Sequence, residues 1–150
     1  MPQSLSCLLV HAIFSTKGRV ALIDPVIELE LYPYLASVLK TCNSPALAIG
    51  GVEDHIHLLF NLSRTYSVAK VIEDVKSDSS KWIKKKGLKY SHFYWQNGYG
   101  SFTIGRSNLD TVKQYIANQK SHHTKITFQD EYREFLHKYE IEYDERYVWD

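Results

Sequence analysis

Apolar and polar positions along the chain predict a definite order of strands and helices. Apolar, β-rich runs predict strands over residues 5–14, 46–49, 56–62 and 101–104. Apolar residues at helical spacing predict helices over residues 25–39, 68–86, 109–122 and 127–139. This order, β-α-β-β-α-β followed by helices, is that of a ferredoxin-like α+β fold in which helices cover an antiparallel sheet.

Residues typical of helix ends and turns support these boundaries. Ser67 and Asn108 stand directly before two of the predicted helices, where hydroxyl and amide side chains cap free backbone N–H groups, and Thr127 opens the last helix. Gly87 is expected to end the second helix. Between the second and third predicted strands, the two glycines and two acids within residues 50–54 indicate a tight hairpin.

The composition indicates one soluble globular domain spanning residues 1–150. Hydrophobic residues make up 44% of the chain and charged residues 23%, which excludes the disordered and fibrous classes. No apolar run approaches the roughly 20 residues that cross a bilayer, and no secretory signal is evident at the N-terminus. We therefore expect a cytoplasmic protein that does not bind a membrane.

The two cysteines carry no chemistry in this interpretation. Cys7 and Cys42 are isolated from each other and stand in apolar surroundings. Such positions favour buried free thiols over a disulfide or a metal pair.

A pair of histidines is the first candidate for chemistry. Because strand side chains alternate between faces, His55 and His57 project from one side of their strand while Ile56 points to the other. Two imidazoles on one face can bind a single divalent cation. The tripeptide alone is also compatible with a chance pattern on a solvated sheet face, so the assignment needs further support.

A second candidate lies on the helix predicted after Asn108. Tyr115, Gln119 and His122 are spaced i, i+4 and i+7, which places them on one stripe of that helix. Such residues usually pack at the water boundary or are solvated. Next to a metal, however, a phenolic oxygen can act as a nucleophile and an amide oxygen can serve as a ligand.

These segments resemble the single-tyrosine transposases of small bacterial insertion sequences, the His-hydrophobic-His (HUH) family, together with their domesticated, repeat-associated relatives. The similarity runs almost end to end. It is carried by residues 54–59, by residues 112–119 followed by His122 and His123, and by residues 16–19, 76–82, 95–102 and 128–132. The resemblance implies a ferredoxin-like HUH endonuclease fold with C-terminal helices that carry the catalytic tyrosine.

The resemblance also implies roles for individual residues. Tyr115 would attack a DNA phosphate and retain its 5′ side as a phosphotyrosine, while His55, His57 and Gln119 would hold one Mg²⁺ or Mn²⁺. Two nitrogens ordinarily favour zinc, but an open shell with oxygen ligands suits magnesium or manganese too. Asp54 and His122 are expected to orient these residues by contacts from outside the ligand set. For Asp54, the alternative of an ordinary hairpin-turn residue stays equally open. No nucleotide cofactor is expected, because the chain has no phosphate-binding loop.

The implied activity is hairpin-dependent cleavage and strand transfer of single-stranded DNA, by homodimers that share active sites between subunits. Three alternatives stay open: a domesticated nuclease acting on repeated hairpins, a non-catalytic nucleic-acid-binding module, and a metallo-hydrolase that uses water instead of Tyr115. The sequence does not specify the hairpin, the cleavage site or the target.

Charge is segregated along the chain. The net charge of +1 is the balance of +8 within residues 64–125 and −7 elsewhere. Basic residues interleaved with aromatics suit phosphate neutralisation and base stacking. The expected DNA contacts are Lys17, Arg19, Lys76, Lys81, Lys84, Lys85, Trp95 and Arg106. The acidic segment 128–150 has no assigned role.

Overall fold

The computed structural model describes residues 2–150 as a four-stranded antiparallel sheet with helices on both faces. The strand order is β2-β3-β1-β4, and all three neighbouring pairs are antiparallel. The strands are β1 (Leu9–Ser15), β2 (Ala46–Val52), β3 (His55–Asn61) and β4 (Gly100–Thr103). This arrangement confirms the expected α+β class and the ferredoxin-like order of elements.

Within residues 2–150 there are also five α-helices and three short 3₁₀ turns. The helices are α1 (Pro25–Thr41), α2 (Val68–Lys84), α3 (Leu109–Ala117), α4 (Gln119–His122) and α5 (Phe128–Lys138). The 3₁₀ turns are Lys17–Arg19, Leu88–Tyr90 and Arg106–Asn108. Within residues 2–150, none of these helices is long and apolar enough to cross a membrane.

Of the two expected N-caps, that at Ser67 is confirmed, and Thr127, which was expected to open the last helix, caps it as well. Ser67 Oγ accepts a hydrogen bond from the backbone N–H of Lys70, and Thr127 Oγ1 accepts one from that of Asp130. The expected Asn108 cap is wrong: within residues 2–150 its side chain makes no capping hydrogen bond. The turn Arg106–Asn108 runs directly into α3 instead.

The two faces of the sheet pack against different helices. On one side, which we call the apolar face, Ala12, Phe14, Ile56, Leu58 and Phe60 pack in a single core with α1 and α2. The opposite side, which we call the histidine face, carries His11, Ile13, His55, His57 and Leu59. It is covered by α3, α4 and α5. Because strand side chains alternate, neighbouring residues of β1 and β3 belong to different faces.

The first strand is shorter than its apolar sequence predicts. β1 begins at Leu9, which pairs with Asn61 at the end of β3, so that no partner strand extends beyond it. The Asn61 side chain accepts the N–H of Leu8 at 3.1 Å. Upstream, Leu5 and Cys7 are exposed, which corrects the expected burial of Cys7, whereas Cys42 is buried as expected.

The helix expected over residues 109–122 is interrupted at Asn118, whose backbone angles of φ −96° and ψ 14° separate α3 from α4. α3 lies very close to β2 at Gly50. A Cβ atom at Gly50 would stand 2.4 Å from the carbonyl oxygen of Ile116, so a side chain there would push the helix away. This close approach brings Tyr115 and Gln119 over the histidine face.

Candidate metal and nucleophile site

The histidine pair lies at the centre of a buried polar cluster. His55 and His57 are fully buried on β3, with ring centroids 5.3 Å apart. They face Ser15 and Ile13, their register partners on β1. A chance pattern on a solvated sheet face is therefore excluded, because neither imidazole reaches solvent.

α3 and α4 bring the predicted tyrosine and glutamine to this pair. The Tyr115 ring centroid is 5.8 Å from that of His57, and Gln119 Oε1 is 3.1 Å from His55 Nε2. Tyr115 is partly buried and Gln119 is fully buried. His122 Nε2 lies 3.4 Å from the Tyr115 hydroxyl, so the predicted stripe is preserved despite the break at Asn118.

A carboxylate that the sequence analysis missed occupies the middle of the cluster. Glu131 of α5 is completely buried, and its Oε1 is 3.0 Å from His57 Nε2 and 3.4 Å from His55 Nε2. Its Oε2 accepts hydrogen bonds from the Tyr115 hydroxyl and, at 3.0 Å, from the Gln119 amide. Glu131 thus contacts the predicted nucleophile and all three predicted metal ligands.

The sequence contains a signal for Glu131. Residues 128, 132, 135 and 136 form an apolar stripe on α5 with i, i+4, i+7 and i+8 spacing, and position 131 falls within it. An acid on the apolar stripe of a helix needs a buried partner. Acids are also common in the first turn of a helix, where they interact favourably with its dipole, so the sequence alone does not single out Glu131.

A third histidine approaches the same carboxylate. His123 follows α4, its Nε2 lies 3.1 Å from Glu131 Oε1, and its side chain is 7% exposed. One ligand atom from each of His55, His57, His123 and Glu131 can be chosen so that all four lie within 4.8 Å of one another. This donor set fits a divalent cation, and the Gln119 amide oxygen adds a possible further ligand.

The carboxylate at the centre is ionised. Burial alone would raise the pKa of Glu131, but the adjacent imidazoles of His123, His55 and His57 hold it well below its usual range. Burial lowers the pKa of His57. For His55, burial is outweighed by the acids Asp54 and Glu131, which raise its pKa to about 9.

The nucleophile candidate is held in its neutral form. Burial, and then the hydrogen bond to Glu131, raise the pKa of the Tyr115 hydroxyl well above its ordinary value. Its proton therefore stays in place until other charges enter the site. Asp54, one of the two expected outer residues, lies 2.7 Å from His55 Nδ1.

Two of the expected DNA contacts are turned inward. Trp95 is 6% exposed, and its indole N–H donates to Ser79 Oγ at 2.9 Å. The ammonium of Lys76 is bonded to the backbone carbonyls of residues 96–98, and burial lowers its pKa to about 8. Both residues hold the loop before β4, so neither presents a free surface to DNA.

The other expected contacts lie in three places. Lys81 and Lys85 are exposed at the end of α2, where the Lys84 ammonium lies 3.9 Å from the centroid of the Tyr94 ring. Arg106 is exposed before α3. Lys17 and Arg19 occupy the turn after β1, and the Arg19 guanidinium lies 5.8 Å from the Trp149 ring centroid.

Comparison with known proteins gives one family and two structural neighbours. The family model described as transposase IS200 like matches residues 4–119. A protein of Deinococcus radiodurans R1, provisionally named a transposase, has a TM-score of 0.62 at 20% identity, over 79% of this chain and 98% of that chain. A REP-associated tyrosine transposase bound to a REP hairpin has a TM-score of 0.62 at 12% identity, over 84% of this chain and 74% of that chain. Comparison with curated proteins found no match.

The structural neighbours support the α+β fold. The family match covers only part of the polar cluster. Its range includes the histidine pair, Tyr115 and Gln119 and ends at residue 119. His123 and Glu131 lie beyond it. The family match therefore covers the histidine pair, Tyr115 and Gln119, whereas only the structure brings His123 and Glu131 to the same site.

Proposed function

We propose, because this chain belongs to the IS200-like transposase family, that it cleaves single-stranded DNA at hairpins and transfers the cut strand through Tyr115. The observation that carries the proposal is the hydrogen bond from the Tyr115 hydroxyl to Glu131, the carboxylate that also contacts the histidine pair and Gln119. A tyrosine that only packed would not need its hydroxyl placed among these groups.

The reaction is a direct displacement at phosphorus. The Tyr115 hydroxyl loses its proton, its oxygen forms a bond to phosphorus, and the bond to the 3′ oxygen breaks. That oxygen takes up a proton and leaves as a free 3′-hydroxyl, while the 5′ side stays attached to Tyr115. Attack by another 3′-hydroxyl reverses these steps and joins a new strand, so no nucleotide cofactor is required.

His55, His57 and Gln119 are proposed to hold one divalent cation, Mg²⁺ or Mn²⁺. When bound, such an ion supplies positive charge to the phosphate oxygens as negative charge develops on them. The residues present fit this role, because the imidazole nitrogens and the amide oxygen converge within the buried cluster. Asp54 and His122 are proposed to orient His55 and Tyr115.

Hairpin DNA is the proposed partner, since one structural neighbour is a tyrosine transposase bound to a REP hairpin. The exposed basic side chains suited to phosphate contacts are Lys17, Lys81, Lys85 and Arg106, together with Lys84 and Arg19 beside aromatic rings. Lys76 and Trp95 are left out because they are engaged inside the protein.

Covalent trapping tests the proposal. Incubation with hairpin oligonucleotides that carry single-stranded flanks should give a protein–DNA adduct that survives denaturation. The variant Tyr115→Phe should give none, while Tyr147→Phe, which changes an exposed tyrosine near the C-terminus, should retain it. An adduct that persists in Tyr115→Phe would contradict the assignment of the nucleophile. Cleavage without an adduct would favour a hydrolase that uses water as the nucleophile. DNA binding without cleavage would favour a non-catalytic binding module.

The geometry supports a site completed within one subunit. Tyr115 and Gln119 already lie against the histidines of their own chain. We expect this arrangement to be active even in a homodimer. A mixture of His57→Ala and Tyr115→Phe proteins should therefore stay inactive after confirmed subunit exchange, whereas recovered cleavage would indicate active sites shared between subunits.

A further inference from the structure

We propose that His123 and Glu131 are two additional ligands of the metal ion, so that three imidazoles and one carboxylate hold a transition-metal ion of the Mn²⁺, Co²⁺ or Zn²⁺ type in preference to Mg²⁺. The inference deepens the proposed function and rests on it for the purpose of the site. Ion binding itself can be measured without DNA.

The distances are those of a nearly formed coordination shell. Glu131 Oε1 lies 3.0, 3.4 and 3.1 Å from Nε2 of His57, His55 and His123. Ligands about 2.1 Å from a tetrahedral ion are separated from one another by roughly 3.4 Å. A few tenths of an ångström of adjustment would bring these carboxylate–imidazole separations to the values of a metal complex. The four ligand atoms lie within 4.8 Å of one another, so the imidazoles would also move closer together around an ion.

The outer nitrogens of all three imidazoles are held in place. His55 Nδ1 is 2.7 Å from Asp54 Oδ1, His123 Nδ1 is 2.8 Å from the carbonyl oxygen of Ile126, and His57 Nδ1 is 2.8 Å from His11 Nε2. Metal-binding histidines characteristically use one nitrogen for such a contact, which orients the other toward the ion. Here every Nε2 lies within 3.4 Å of the same carboxylate oxygen.

His123 provides an independent indication. Its Nε2 is buried and has no hydrogen-bond partner among residues 2–150, because the 3.1 Å contact with Glu131 does not have hydrogen-bond geometry. Leaving an imidazole nitrogen buried without a partner is unfavourable. A metal ion between His123 and Glu131 would satisfy both groups.

The ligand types determine the choice of ion. Mg²⁺ prefers oxygen ligands in an octahedral shell and keeps several waters, whereas imidazole suits transition metals such as zinc. A third imidazole therefore moves the site away from magnesium. His55 and His57 lie on β3, His123 follows α4, and Glu131 lies on α5. An ion bound by all four would therefore also stabilise the packing of α5 on the histidine face.

Metal binding to the complete chain tests the inference. After chelation and dialysis, calorimetric titration with Co²⁺, Zn²⁺ and Mg²⁺ should give one site for the first two ions and at least about tenfold weaker binding of Mg²⁺. The variants Glu131→Gln and His123→Gln should each weaken Co²⁺ binding at least about tenfold. Matched controls are Glu134→Gln and His137→Gln, exposed residues of α5, which should bind Co²⁺ as the wild type does.

X-ray absorption of the Zn²⁺-loaded wild type gives a second measurement that is independent of how the variants fold. Three imidazoles per zinc are expected, and two would overturn the inference. Unchanged Co²⁺ affinity in both folded variants, or equal affinity for Mg²⁺, would also overturn it. The adduct assay tests the proposed function separately. If zinc has three imidazole ligands but no adduct forms, only the proposed function is contradicted. If an adduct forms and zinc has two imidazole ligands, only the proposed ligand set is contradicted.

Discussion

The two faces of the sheet are equally well buried but differ in what they bury. On the apolar face, side chains of β1 and β3 meet α1 and α2 in a core of apolar residues. On the histidine face, apolar contacts to α3 and α5 surround a centre of His55, His57, His123, Gln119 and Glu131. One strand therefore contributes to both an apolar core and a buried polar cluster, through alternate residues.

This difference between the two faces affects how much each face contributes to the stability of the fold. Burial of apolar surface stabilises a fold at roughly 25 cal/mol per Å², with little demand on the exact partner. Buried ionised groups lose hydration and regain little unless every contact is satisfied, so they are weak sources of stability. We infer that the apolar face supplies most of the folding energy and that the histidine face is retained for its reactivity.

The largest expected stability effect comes from two neighbouring leucines that point in opposite directions. Leu58 lies on the apolar face and Leu59 on the histidine face, and both are fully buried. Either Leu→Ala change should lower the free energy of unfolding by about 2–5 kcal/mol. Only Leu59→Ala should also slow adduct formation, because Leu59 belongs to the cluster against which Tyr115 packs.

Urea unfolding and adduct rates, measured where both variants are fully folded, test this difference. Equal slowing by Leu58→Ala and Leu59→Ala would show that the faces are not functionally separate. Wild-type rates in both variants would remove the proposed support of Tyr115 by the Leu59 cluster.

A smaller effect on stability, with a clear effect on activity, is expected at Gly50. Gly50→Ala would place a methyl group 2.4 Å from the Ile116 carbonyl, so α3 must move away from β2. Overpacking of this kind costs about 1–3 kcal/mol. The displacement would also carry Tyr115 away from the cluster. Gly105→Ala, where the nearest neighbours are 3.8 and 3.9 Å away, is the matched control and should leave the adduct rate unchanged.

Much of this architecture follows from local sequence patterns. Alternation in β3 correctly predicts that His55 and His57 share a face, and helical spacing correctly predicts the stripe of Tyr115, Gln119 and His122. These relations extend over a few residues of one element. They are fixed by backbone geometry, so the sequence alone contains them.

The rest depends on contacts between distant elements. Glu131 is 74 residues away from His57 in the chain, and only the packing of α5 against the sheet brings them together. Trp95 was expected to meet DNA because it stands among basic residues, but edge-on contacts with Phe14 and Phe93 place it in the core. Charge patterns do not distinguish a stacking surface from a buried aromatic ring.

The smallest expected effect lies beneath the apolar face, where Asp24 caps α1. Asp24 Oδ1 accepts the Ile27 N–H at 2.9 Å, and Oδ2 accepts the Tyr90 hydroxyl at 2.6 Å. The hydrogen bonds from Tyr90 and then Ile27 lower the pKa of Asp24 to about 2. Because its folded-state pKa is lowered, the carboxylate contributes stability above its unfolded value near 3.8, and this contribution is lost as the pH falls toward 2.

Tyr90→Phe should therefore lower the free energy of unfolding by about 1 kcal/mol at pH 7. The difference from the wild type should shrink between pH 4 and pH 2 (about the two pKa values) as Asp24 is protonated. Urea unfolding at a series of pH values measures this, and Tyr94→Phe, with an exposed hydroxyl, is the control. A difference that stays constant with pH would mean that Tyr90 stabilises by packing and not through the carboxylate. Because the change lies on the side of the sheet away from Tyr115, the adduct rate at neutral pH should stay at the wild-type value.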